Sequence, residues 1–249
     1  MPRVTERDEL MMRWFGTLRI SNMEGLRWAL AAAGGWGDPV VLRQAQHWAA
    51  RMEKLGLVER ARLFGTGGSL VWATSLGVGR RTPNLLSQMT RHEVAVSIVA
   101  ARYWARGFEW QRDRRPANKY DHQADGIAAH GDYRDAVEVE LTAKRQQRYQ
   151  LIFRAWDRRL QAGEIHHITY FTTTAAGRAV QTALAQSWAP ASVRQRLRLV
   201  SVFDERGAWE GNEQPTALGG TLEPAQPSPE GPADVPSSSS ALTLDGVQA

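Results

Sequence analysis

The chain has no cysteine, which excludes disulfides and thiolate metal sites and fits a reducing, cytoplasmic setting. No apolar run approaches the ~20 residues that cross a bilayer. The first residues, Met1 to Glu9, are polar and charged. A soluble cytoplasmic protein with no membrane partner is therefore expected. Lysine is scarce: only Lys54, Lys119 and Lys144 are found, and the other 28 of the 31 basic residues are arginine. From Asn212 to Ala249 there is no basic residue at all, while Glu213, Glu223, Glu230, Asp234 and Asp245 fall there. The formal charge of +5 thus hides a more basic body. Without those five acids, residues 1–211 carry 31 basic against 21 acidic residues, a net charge of +10. That balance points to a polyanionic partner, nucleic acid first. The alternative is a surface kept soluble by its charge.

At 249 residues the chain is long enough for one large or two small domains. Thr5 opens a helix with Asp8 three positions on, and Ser21 opens another with Glu24 in a capping box. "GGWGD" stops the second helix, and Pro39 suits the first helical position of a third, "PVVLRQAQHWAARMEKLG". In that helix Leu42, Ala45, Ala49, Met52 and Leu55 form the apolar face, and Gly56 ends it. Two strand-like runs around "GTGG" then read as a hairpin. Three helices followed by a hairpin is the order of a winged helix-turn-helix over residues 1–78. Arg43, Gln44, Gln46, His47 and Arg51 on the third helix would face double-stranded DNA, and Arg60 and Arg62 on the wing would meet its backbone. The alternative is a helical unit that docks on a second domain or a partner protein.

Residues 79–89 read as a linker. Residues 90–211 then give a helix, a strand candidate "FEWQRDRR", two further strands, a long helix from Ala143, the strand "IHHITYFTTT", a helix and a last strand. This is an α/β unit with a mixed sheet, so the whole is an α+β or α/β chain. Residues 212–249 carry repeated proline and "SSSS" and are expected to be a disordered acidic tail.

The chemistry sits in "HQADGIAAHGDYRDAVEVELTAKRQQRY", His122 to Tyr149. Glu138 and Glu140 share a face of one strand, since alternate residues do. If the turn is a two-residue loop at Gly131–Asp132, His130 pairs with Tyr133 and Ile127 with Ala136. Asp125 then stands opposite Glu138, with Cβ atoms roughly 5 Å apart, and diagonal to Glu140. Opposed like charges call for a cation, and carboxylate oxygens suit Mg2+ or Mn2+. Lys144, at the start of the next helix, could orient a water or stabilise charge on a phosphate. In the competing view Glu138 and Glu140 lie on a wet face and pair with Arg134 or Arg148. His92, His122 and His130 are scattered and read as surface histidines, although one near Asp125 could act as a base. Adjacent His166 and His167 point to opposite faces and form no paired metal site.

A helix with Glu93, an Asp-bearing strand, a strand with Glu–x–Glu and a covering helix resembles the restriction-endonuclease-like fold. The resemblance implies catalytic roles for Asp125, Glu138, Glu140, Lys144 and Glu93. The chain departs from the superfamily pattern at Glu140, where lysine is usual, and at Ala124, where proline is common. Together with the N-terminal unit, "DG…VEVELTAK" and "ITYFTTT" resemble the bacterial replication-relaxation family over about Thr5 to Asp204. That family occurs on plasmids and integrative elements of Gram-positive bacteria, especially actinobacteria. The resemblance implies DNA binding, metal-dependent nicking, and replication or conjugation proteins as partners, with self-association left open. It leaves standing a non-catalytic DNA-binding regulator or relaxosome accessory factor, and a pure protein-interaction module.

Overall fold

The computed structural model describes residues 3–62, 68–79 and 81–211. Helix α1 (Glu6–Leu18) starts where Thr5 and Asp8 exchange side-chain-to-backbone hydrogen bonds, the expected capping box. Its buried stripe is Met11, Trp14, Phe15 and Leu18, the i, i+3, i+4, i+7 pattern of one helical face. A short strand β1 (Ile20–Asn22) leads into α2 (Met23–Ala32). Here the expected cap is corrected: Asn22, not Ser21, accepts from the Gly25 N–H at 3.0 Å. Ser21 belongs to β1, and its buried hydroxyl accepts instead from Ser97 at 2.8 Å. Both residue types cap helices and both pair with β3; Ser97 engages the Ser21 hydroxyl, while Asn22 Oδ1 meets the helix start.

Helix α3 (Leu42–Lys54) begins three residues after Pro39, with Val41 at its N-cap and no capping side chain. Ala45, Trp48, Ala49 and Met52 are buried, while Leu42, expected on that face, is 47% exposed. Gly56, at φ +70°, ends the helix as expected. Strands β2 (Val58–Arg62) and β3 (Ser69–Ala73) pair antiparallel, and β1 joins β3, so the first sheet has the order β1-β3-β2. The tip of this hairpin and the acidic C-terminal stretch lie outside the described residues. A short α4 (Ser75–Val78) precedes α5 (Gln88–Ala105), which Ser87 caps.

The second sheet contains β4 (Glu109–Gln111), β5 (Gly126–His130), β6 (Tyr133–Glu140), β7 (His167–Thr173) and β8 (Leu197–Phe203) in that order. The strand expected over 108–115 is thus only three residues long. The first two pairings are antiparallel and the last two parallel, so the sheet is mixed. The parallel connections carry α6 (Gln146–Gln161) between β6 and β7, and α7 (Thr174–Leu184) with α8 (Ala191–Arg196) between β7 and β8.

The alternation along β6 sorts its side chains onto two faces. Val137, Val139 and Leu141 join an apolar cluster with α5, whereas Ala136 joins one with Tyr149, Phe153 and Trp156 of α6. The first cluster runs without a break from Met11 and Phe15 through α5 to Phe171 and Phe203. Helix α5 therefore serves two layers at once. It packs on α2 and β1 on one side and on the second sheet on the other. The Arg102 guanidinium of α5 bonds Glu24 at 2.8 Å and lies over the rings of Trp28 and Trp209 at 4.5 and 4.0 Å. Residues 79–89 connect two sheets that share one core. No helix among the described residues is long and apolar enough to cross a membrane.

Candidate functional site

The β5–β6 hairpin has the register that brings acids together. His130 pairs with Tyr133, Ile127 with Ala136 and Gly126 with Val137. The loop is Gly131–Asp132, with Gly131 at φ +56°, a left-handed conformation that favours glycine. Asp125 is the next residue after the ladder ends. Its N–H donates to the Val137 carbonyl at 3.0 Å, and its Oδ2 accepts the Val139 N–H at 2.8 Å. The side chain thus replaces a strand partner and is held at the end of the sheet.

Glu138 and Glu140 are 5% and 4% exposed, so the wet-face view is overturned, and neither Arg134 nor Arg148 pairs with them. His122 Nε2 lies 2.7 Å from Glu138 Oε1. Lys144 makes an ion pair with Glu140 Oε2. His92 Nε2 lies 3.2 Å from Asp125 Oδ2 and 3.1 Å from the Val139 carbonyl. Both neighbours accept, so Nε2 carries the proton. Burial pushes the Glu138 carboxyl up; His122 pulls it down, and the charge of Asp125 pushes it up again. Burial likewise raises Glu140, against Lys144 and with Asp125. Burial opposes charge on His92, but the hydrogen bond to Asp125 and its charge outweigh it, so His92 is raised. Asp125 thus acts electrostatically on both glutamates, and each acid has a cationic or protonatable partner from the chain.

Loop and helix contacts fix these partners. His122 sits in the β4–β5 loop, edge-on to Trp156 with ring centroids 5.0 Å apart. That loop is tied down by Asp113, which takes Arg159 of α6 at 2.7 and 3.0 Å and the Ala124 N–H at 2.7 Å. Asp113 and Arg159 are both buried. Lys144 precedes α6 rather than opening it, and its N–H donates to the Tyr149 hydroxyl at 3.1 Å. Glu93 is also corrected: it faces Arg19 at 3.7 Å, and the residue before it, His92, makes the contact with Asp125. Asp113, Arg159 and the roles of His92 and His122 were not legible from spacing.

Oxygen donors of this kind suit a hard divalent cation, and burial raises the pKa of both glutamates, so their charged forms are costly unless a cation stands beside them. As placed, however, no three histidine or carboxylate groups among the described residues converge on a metal position. In the first unit Arg43, Gln44, Gln46 and His47 are exposed along α3. Arg51 is drawn instead to the buried Asp8 at 2.5 Å, and Arg60 to Glu53 at 2.9 Å. Arg62 is exposed. Comparison with family models, with curated proteins and with solved structures finds no match to this chain.

Proposed function

We propose that the protein binds duplex DNA and cleaves a phosphodiester with divalent-metal assistance at Asp125, Glu138 and Glu140. The observation that carries this reading is the burial of Glu138 and Glu140 near the β5–β6 strand end, where each feels the charge of Asp125. A sheet has no structural need for two glutamates at 5% and 4% exposure, and their burial is costly. Asp125, Glu138 and Glu140 would hold Mg2+ or Mn2+, which when bound supplies charge neutralisation and a more acidic water. Lys144, beside Glu140, would meet the negative charge that grows on the phosphate. His122, whose Nε2–H donates to Glu138, would orient that carboxylate toward the cation. The first unit has the element order of a winged helix, and its exposed α3 side chains Arg43, Gln44, Gln46 and His47 would face the groove.

The test is conversion of supercoiled plasmid to nicked circles with magnesium, manganese or EDTA. Metal-dependent nicking by the wild type, lost in Asp125→Ala and Glu138→Ala, is expected. Nicking that persists in EDTA would sink the metal assignment. A second reading has its own observation: each acid already has a partner in His92, His122 or Lys144, and Glu140 stands where the nuclease pattern has lysine. In that reading the fold is a scaffold for a DNA-binding regulator or accessory factor of replication or conjugation proteins. Salt-dependent plasmid binding without nicking, by folded protein, would favour it.

A further inference from the structure

A concavity lies away from the carboxylates. A cleft of about 570 Å³ opens between α1, the turn after α2 and the α5–β4 corner. Helix α1 contributes Arg13 and Trp14, the turn contributes Trp36, and the corner contributes Trp104, Arg106 and Trp110. Four indoles in one cleft are not all explained by packing. Trp36 is 50% exposed, and the Arg7 guanidinium lies over one face of its ring, 4.9 Å from the centroid. The indole N–H groups of Trp14 and Trp110 are buried with no hydrogen-bond partner among the described residues. Such orphaned donors are costly to bury. Arg13 and Arg106 also make no ion pair among the described residues, and Glu109 is the one acid in the lining.

We infer that this cleft takes unstacked nucleobases of a single nucleic-acid strand. Trp36 offers the stacking face, and Arg13 and Arg106 meet the phosphates on either side. Stacking needs an open base face, which a duplex hides and a single strand presents. Cationic side chains on an aromatic floor fit a polyanion with flat apolar groups better than they fit an apolar peptide. The inference goes beyond the proposed duplex contact and cleavage site and requires neither. A strand opened near a nick would be one source of such a ligand.

The test is titration of the full chain with a short oligothymidylate at low salt, read by tryptophan quenching and by anisotropy of a labelled strand. Binding with quenching is expected, weakened about tenfold in Trp36→Ala and retained in Trp36→Phe. Arg13→Ala with Arg106→Ala flattens its salt dependence. Trp36 is exposed, so these variants keep the fold, and their affinity for duplex DNA stays that of the wild type. Wild-type affinity of Trp36→Ala for the strand would overturn the inference. So would an equal loss of duplex binding, which would make the cleft a general electrostatic contact. Quenching by thymidine monophosphate as strong as by the oligomer would also overturn it, in favour of a nucleotide pocket. Absence of strand binding in protein that still binds duplex would remove this inference and leave the proposed function standing.

Discussion

Asp135 lies on the opposite face of β6 from Glu138 and shows how this sheet treats a buried acid. Its Oδ2 accepts from the Tyr103 hydroxyl at 2.6 Å and the Thr169 hydroxyl at 2.7 Å. Burial pushes its carboxyl up to about 6. The folded chain therefore holds a proton that the unfolded chain releases near pH 4. Stability falls as pH rises between these values, and the full cost is present above about pH 6. Asp135→Asn should remove that slope, shrinking the stability difference between pH 4 and pH 7 by about 2 kcal/mol. Urea denaturation at both pH values checks it, and an unchanged difference would contradict it. Glu138 differs because a partner from the chain faces it. His122→Ala leaves the buried carboxylate uncompensated and should cost about 3 kcal/mol at neutral pH. Adding Glu138→Gln should recover most of that loss in the same denaturation experiment.

At the scale of elements, close approach and loop anchoring govern. A Cβ on Gly25 would stand 2.3 Å from Ser21 Oγ and 3.3 Å from Ser97 Oγ, so α2 meets β1 and α5 with no room to spare. Gly25→Ala should destabilise by about 1–3 kcal/mol, although alanine favours helices. A rise in the melting temperature would refute this. Asp113→Ala should cost about 3 kcal/mol, since it leaves the buried Arg159 with Glu164 alone and frees the loop that carries His122. Thermal unfolding measures the loss. Local chemistry made some of these elements legible in the sequence. Thr5 and Asp8 mark a helix start by spacing alone, and the two-residue turn at Gly131–Asp132 gives the expected pairs His130–Tyr133 and Ile127–Ala136, although the ladder ends at Gly126–Val137 and Asp125 bonds Val137 rather than pairing with Glu138. Non-local contacts hid the rest. Ser21 and Asn22 both look like caps until Ser97, 76 residues away, engages the Ser21 hydroxyl. His92 and His122 find carboxylates 33 and 16 residues away, which no periodicity encodes.

At the scale of the whole molecule, one core joins the two sheets through α5. The sequence reads as two domains and a linker because the change of pattern near Thr90 is sharp, but the apolar faces on either side of it meet the same helix. Unfolding should therefore be one cooperative transition, with tryptophan fluorescence and far-ultraviolet dichroism coincident. Two separated transitions would show that the units hold themselves together independently. The basic balance of residues 1–211 belongs to this scale too, and supports contact with a polyanion without choosing a groove. The account depends most on Asp125, Glu138 and Glu140 forming a cation site, and Mn2+ binding tests that directly without a known DNA target. Calorimetry should find Mn2+ bound by the wild type and weakened at least about tenfold in Glu138→Gln, in protein that remains folded. Equal Mn2+ affinity in the variant, or none in the wild type, would contradict it.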